Sequence, residues 1–170
     1  MDDSLQLEFR KAAEADLEDI FRVFADAIAK MDDNGIPQWD EVYPDRSILL
    51  DDIAKNQLCV AVLDGEIVCA YAVNAECDEQ YENGDWQYPD ASFRVVHRLC
   101  VSPKAQSRGV GAAVCLHIAE GLVAEGIEAV RFDAFPQNPS ALRLYEKLGC
   151  KKVGTANWRK GQFWLMEKKL

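Results

Sequence analysis

Leu99-Cys100-Val101-Ser102-Pro103-Lys104-Ala105-Gln106-Ser107-Arg108-Gly109-Val110-Gly111 carries the chain from an apolar strand, through a short polar loop, into a helix. Val95, Val96, Leu99 and Val101 are β-branched or apolar and stop at Ser102-Pro103, a composition that suits a pleated, largely buried strand. Proline donates no ladder hydrogen bond, so the strand ends near Pro103. After Gly111 the run Ala112-Ala113-Val114-Cys115-Leu116-His117-Ile118-Ala119-Glu120 is long and apolar enough for a buried helix. That helix therefore opens at the two glycines.

A helix start leaves backbone N–H groups unpaired and carries the positive end of the dipole, so it suits an anion. Gly109 and Gly111 lack a Cβ and let such an anion approach the main chain. Arg108 adds a fixed positive charge and Gln106 a side-chain donor. Gln106–Gly111 reads as a pyrophosphate cradle, although two glycines taken alone would also serve an ordinary turn. No Gly-Lys-Ser/Thr follows, which removes the lysine and magnesium ligand of a nucleotide-triphosphate loop. The third glycine of a dinucleotide fingerprint is absent too, and the loop lies past the middle of the chain.

Downstream stands Asn138-Pro139-Ser140-Ala141-Leu142-Arg143-Leu144-Tyr145-Glu146-Lys147-Leu148-Gly149. With this segment and Gln106-x-x-Gly109-x-Gly111 together, the sequence resembles the GNAT family of N-acetyltransferases. The acetyl-CoA loop of that family reads Gln/Arg-x-x-Gly-x-Gly/Ala, and its later segment reads Asn…Ala…Tyr-Glu-Lys-Leu-Gly. The resemblance implies a mixed α/β fold, a central, mostly antiparallel sheet with splayed middle strands, flanked by helices. It implies acetyl-CoA as cofactor, held by Gln106, Ser107, Arg108, Gly109, Val110 and Gly111. Main-chain groups of Leu99, Cys100 and Val101 would pair with the pantetheine arm as another strand would. Asn138 matches the family's asparagine on the CoA arm, and its other reading is plain helix capping. Tyr145 matches the tyrosine that lines the cofactor and protonates the leaving sulfur; from its position on an apolar stripe alone it reads as a core tyrosine. His97 sits where some members carry a histidine that acts as base through water, and by itself it reads equally as a buried structural residue. Val95 stands where histone-modifying members carry a glutamate, so that base is not carried over. Glu76 and Asp78 are alternatives at a strand end.

The chain has 170 residues, 49% of them hydrophobic and 28% charged, which suits one domain, residues 1–170, with a sizeable core. Its net charge of −10 argues against nucleic acid, whose binding is driven by cationic side chains. The same acidity favours a cationic acceptor such as an amine through long-range attraction, or serves only solubility. Cys59, Cys69, Cys77, Cys100, Cys115 and Cys150 form no Cys-x-x-Cys, the pattern of free thiols in a reducing compartment rather than a disulfide scaffold or metal site. No apolar run is long enough for a signal peptide or membrane helix. A cytoplasmic protein is expected, with no membrane or metal partner and a homodimer left open.

Leu5–Arg10 alternates as a first strand, and Leu17, Ile20, Phe21, Phe24, Ile28 and Met31 form one helical stripe ending by Asn34-Gly35. The Pro-rich loop that follows carries Trp39 and Tyr43, aromatic residues that either line a site or plug the core. Asp45 caps a short helix. Two β-rich runs, 57–63 and 66–75, flank the hairpin signal Asp64-Gly65. An acidic, aromatic loop over 76–90 comes next, long for its place. In the resembling family this loop and the 35–45 loop shape the acceptor pocket, which makes Trp39, Tyr43 and Glu76 candidate substrate residues. A strand over Ala129–Phe135, a helix capped by Asn138 and closed by Gly149, and a final hairpin complete the chain. The expected activity is acetyl transfer to a primary amine of a small molecule by direct attack in a ternary complex. Its rivals are a protein lysine or N-terminal acetyltransferase and a non-catalytic CoA-binding module.

Overall fold

In the computed structural model the described residues are 5–39 and 44–170. The fold is mixed α/β: a seven-stranded, mostly antiparallel sheet flanked by helices, with strand order β1-β2-β3-β4-β5-β7-β6. The strands are β1 (Glu8–Lys11), β2 (Leu58–Leu63), β3 (Glu66–Asn74), β4 (Phe93–Val101), β5 (Ala129–Ala134), β6 (Lys151–Trp158) and β7 (Gly161–Lys169). The helices are α1 (Leu17–Asp33), α2 (Arg46–Ala54), α3 (Val110–Ala124) and α4 (Pro139–Lys147). The chain divides into two compact units, Met1–Val73 with Arg98–Val114 and Asn74–His97 with Cys115–Leu170.

In the first unit, α1 buries Ile20, Val23, Phe24 and Ala27 against Leu49, Leu58, Val60, Val62, Ala70, Ala72 and Cys100. Leu17 and Phe21 are partly buried beside this face, so the stripe seen in the sequence is the core side, centred slightly towards Val23 and Ala27. Each large apolar side chain so buried contributes roughly 1.5–3 kcal/mol. The Asp45 carboxylate accepts the Ile48 N–H at 2.9 Å, which starts α2 as its sequence implies. Asp64 and Gly65 adopt φ of 53° and 81°, the left-handed pair that a two-residue hairpin needs. β1 begins later than the alternation predicts, at Glu8, where its pairing with Val62 of β2 begins.

In the second unit, β7 pairs antiparallel with both β5 and β6, and Tyr81, Val95, Val153, Ala156 and Leu165 form its core. The β6–β7 hairpin runs to Trp158 opposite Gly161, which leaves Arg159-Lys160 as its turn. The 76–90 segment is not merely solvated. It forms a 3-10 turn over Glu79–Asn83, and Tyr81 is buried. The Trp86 indole donates to the Tyr81 carbonyl at 2.8 Å. Gly84 lies flat against Trp86, whose ring a Cβ would meet at 2.5 Å. Arg131 and Glu167, 8% and 1% exposed, close the arrangement at 3.5 Å. The Arg131 guanidinium lies 4.5 Å from the Trp86 ring centre and 4.0 Å from that of Phe93, within cation–π range. It also donates to the Tyr88 carbonyl, while Glu167 accepts the Gln87 N–H.

Candidate functional site

The loop after β4 belongs to the first unit, as does the opening turn of α3. Ser102 donates its N–H to the Val68 carbonyl at 2.7 Å, and Pro103–Ala105 makes one 3-10 turn. Ser107 and Gly109 then take φ of 65° and 82°. Left-handed residues within a turn aim successive N–H groups into a concavity, a setting that binds anions. The Gly109 carbonyl accepts the Ala113 N–H at 3.0 Å, so α3 starts at Val110, where the glycines place it. The first-turn N–H groups of Val110, Gly111 and Ala112 therefore precede any helical acceptor. A Cβ on Gly109 would meet no protein atom within 4 Å. Glycine is needed there for its φ, and the space before it is open to a ligand.

Two side chains around this loop have structural duties. The Gln106 amide nitrogen donates to the Val101 carbonyl at 3.1 Å, while its oxygen accepts Lys30 Nζ at 2.8 Å. Gln106 thereby ties the loop to the end of β4, and Lys30 of α1 brings a further cation to it. Lys30 escaped the sequence reading because 76 residues separate it from Gln106. Cys100 turns its thiol into the α1 core, towards the Val23 carbonyl at 3.9 Å, and burial pushes its pKa well up. Only its main chain is left to face a ligand. Leu99, Val101 and Gly111 are half-buried, Val110 is buried, and Ser107, Arg108 and Gly109 are exposed. Trp39 packs its ring on Phe24, centroids 5.5 Å apart, at the margin of the first core. Tyr43 lies outside the described residues.

The remaining site residues belong to the second unit. His97 Nε2 lies 2.8 Å from Asn74 Oδ1 and 3.0 Å from the Glu76 carbonyl. A carbonyl can only accept, and Asn74 Oδ1 already accepts the Glu76 N–H at 2.9 Å. The Nε2 atom therefore carries a proton. Glu76 takes part through its main chain; its side chain is exposed. Arg98, which follows His97 in β4, has φ 55°, which interrupts the regular alternation of the strand there.

Tyr145 is half-buried on α4 and meets Phe132 edge-on, with centroids 4.8 Å apart. Asn138 caps α4 through Oδ1, which accepts the Ala141 N–H at 3.4 Å, and Pro139 occupies the first turn. The Tyr81 hydroxyl donates to Asp133 Oδ2 at 2.8 Å. Burial first, and then the Asp133 charge, raise its pKa far above the ordinary phenol value. This tyrosine holds its proton and fixes the carboxylate. No group of metal-ligating side chains occurs among the described residues, and none of their helices is long and apolar enough to cross a membrane.

Known proteins resemble this chain in sequence family and in fold. The model of the acetyltransferase (GNAT) family matches residues 18–150. A GNAT-family acetyltransferase from Streptococcus agalactiae is 23% identical over 98% of this chain and 97% of that one, with a TM-score of 0.87. The PaiA N-acetyltransferase from Thermoplasma acidophilum in complex with coenzyme A is 19% identical, over 98% and 100%, with a TM-score of 0.73. The ribosomal-protein-S18-alanine N-acetyltransferase from Escherichia coli is 15% identical, over 96% and 94%, with a TM-score of 0.71. No curated protein matches the sequence. At these identities the structures speak to the fold alone, while the family model spans most of the chain. The chain belongs to the acetyltransferase (GNAT) family.

Proposed function

We propose that this protein moves an acetyl group from acetyl-CoA to a primary amine of a small-molecule acceptor, by direct attack within a ternary complex. The observation that carries this reading is the loop from Gln106 to Gly111, where left-handed Ser107 and Gly109 lead into the start of α3. That backbone suits a pyrophosphate, with Arg108 and Lys30 adding positive charge in an acidic chain. Acetyl-CoA, when bound, supplies a thioester whose acyl carbon is activated towards an amine. The main chain of Leu99–Val101 would orient the pantetheine arm, and Asn138, whose Oδ1 caps α4, would contact that arm.

Attack requires a neutral amine, and the leaving sulfur requires a proton. His97, which Asn74 and the Glu76 carbonyl hold through Nε2, would accept the amine proton, directly or through water. Tyr145 would donate its hydroxyl proton to the departing sulfur. The net charge of −10 supports a cationic acceptor, and free cysteines support a cytoplasmic setting.

Calorimetric titration with acetyl-CoA, on wild type and Gly111→Glu, is the first test. Binding by wild type that the variant loses upholds the cradle; no binding by folded wild type ends the reading. Mass detection of acetylation across an amine panel and a peptide panel then decides the acceptor class. Acetylation confined to peptides would overturn the small-molecule assignment.

A further inference from the structure

Arg98 stands apart from the other non-glycine residues with positive φ. Asn56 and Asp64 lie in turns and Ser107 in a loop, whereas Arg98, at φ 55°, lies inside β4. A long side chain in that conformation costs roughly 1–2 kcal/mol relative to extended backbone, so something must hold it. Its guanidinium grips one carboxylate with two bonds, Nε to Asp52 Oδ2 at 2.9 Å and a terminal nitrogen to Asp52 Oδ1 at 2.7 Å. The two side chains are 12% and 6% exposed. Asp52 belongs to α2, which Asp45 caps and whose Leu49 is fully buried.

A buried ion pair is seldom a net source of stability, because desolvation offsets the attraction. What a two-pronged Arg–carboxylate pair does supply is fixed geometry. The strained residue lies immediately before Leu99–Val101, the stretch that leads into the 102–109 loop and whose last carbonyl Gln106 holds. Backbone strain that surrounding structure over-determines is a pointer to function.

We propose that the Arg98–Asp52 pair is a latch that holds the left-handed turn at Arg98 and so sets the direction in which Leu99–Val101 present their backbone to the cofactor. Both are positioning residues. The latch itself stands on this geometry alone; its effect on acetyl-CoA rests on the function proposed above.

Two double variants isolate it. Asp52→Ala/Arg98→Ala and Asp52→Ala/Arg98→Gly both remove the pair and leave no buried orphan charge. They differ only in whether residue 98 tolerates positive φ. With the latch gone, the alanine version should bind acetyl-CoA roughly 5- to 30-fold more weakly, the factor that corresponds to the strain. Its Leu99–Val101 amides should exchange hydrogen faster than in wild type. The glycine version should recover most of both. Equal behaviour of the two variants, whether intact or impaired, overturns the proposal. If the alanine version does not fold, Arg98→Lys replaces it: a point ammonium still neutralises Asp52 but lacks the fork. The scalar coupling of residue 98 should then shift away from its left-handed value, and an unchanged coupling with unchanged binding overturns the latch. Should wild type fail to bind acetyl-CoA, the functional reading falls, while amide exchange and the coupling still decide the latch.

Discussion

Replacing Gly109 by alanine probes the cradle with the least disturbance. Gly109 has φ 82°, and a Cβ there would touch no protein atom within 4 Å. The methyl group therefore has room, and the penalty is conformational: about 1–2 kcal/mol for a left-handed residue bearing a Cβ. If the loop keeps its shape, the cost appears as lower stability; if it relaxes, the N–H groups turn away and the cost appears in binding. In the second case acetyl-CoA affinity falls by roughly 5- to 30-fold. Gly109→Asn should lie between wild type and alanine, because asparagine tolerates this conformation better. Calorimetric titration with acetyl-CoA, paired with urea unfolding of each variant, reads both costs. An alanine variant with wild-type stability and affinity would refute the argument that this loop depends on left-handed backbone.

Tyr145→Phe keeps the edge-on contact with Phe132, so acetyl-CoA affinity should hold while kcat falls by about 10²-fold or more, the usual scale of general acid catalysis; a kcat within twofold of wild type removes the role. Arg131→Met leaves Glu167 buried without its partner and should cost about 3–5 kcal/mol in urea unfolding. Arg131→Met/Glu167→Gln should recover part of that, and a neutral single variant would show the pair to be dispensable. Hydrogen bonding to Arg10 first, and then the Ala13 N–H, lower the pKa of Asp16. The stabilisation it gives is therefore complete above the ordinary carboxylate pKa of about 4 and lost as pH falls through the lowered value. With Arg10 40% exposed, Asp16→Asn should cost no more than about 1 kcal/mol at pH 7, a difference that should vanish in strong acid; a gap that persists there would assign the effect to shape instead of charge. Burial pushes Cys115 and Cys150 up to about 11, and their thiolates are scarce at pH 8. Exposed Cys77 should react first with iodoacetamide, as peptide mapping of the modified protein would show.

Much of this molecule is written locally in its sequence. The apolar stripe of α1, the Asp64-Gly65 turn, the caps at Asp45 and Asn138 and the glycine-opened α3 each follow from residues within a few positions of one another. Backbone preference and periodicity act over that range, which is why the fold class and the glycine-bearing loop before α3 are legible from the chain alone. Tertiary structure decided the rest. Arg98 and Asp52 are 46 residues apart, and no spacing rule announces that an arginine in a strand will turn left-handed to reach a buried carboxylate. Lys30 reaches Gln106 only because α1 packs where it does. The proton on His97 is placed by Asn74 and the Glu76 carbonyl, and the 76–90 loop is ordered by Arg131 held between two aromatic rings. In each case the deciding contact is polar and joins residues distant in sequence, so it exists only after the chain has folded and hydrophobic pattern cannot foretell it.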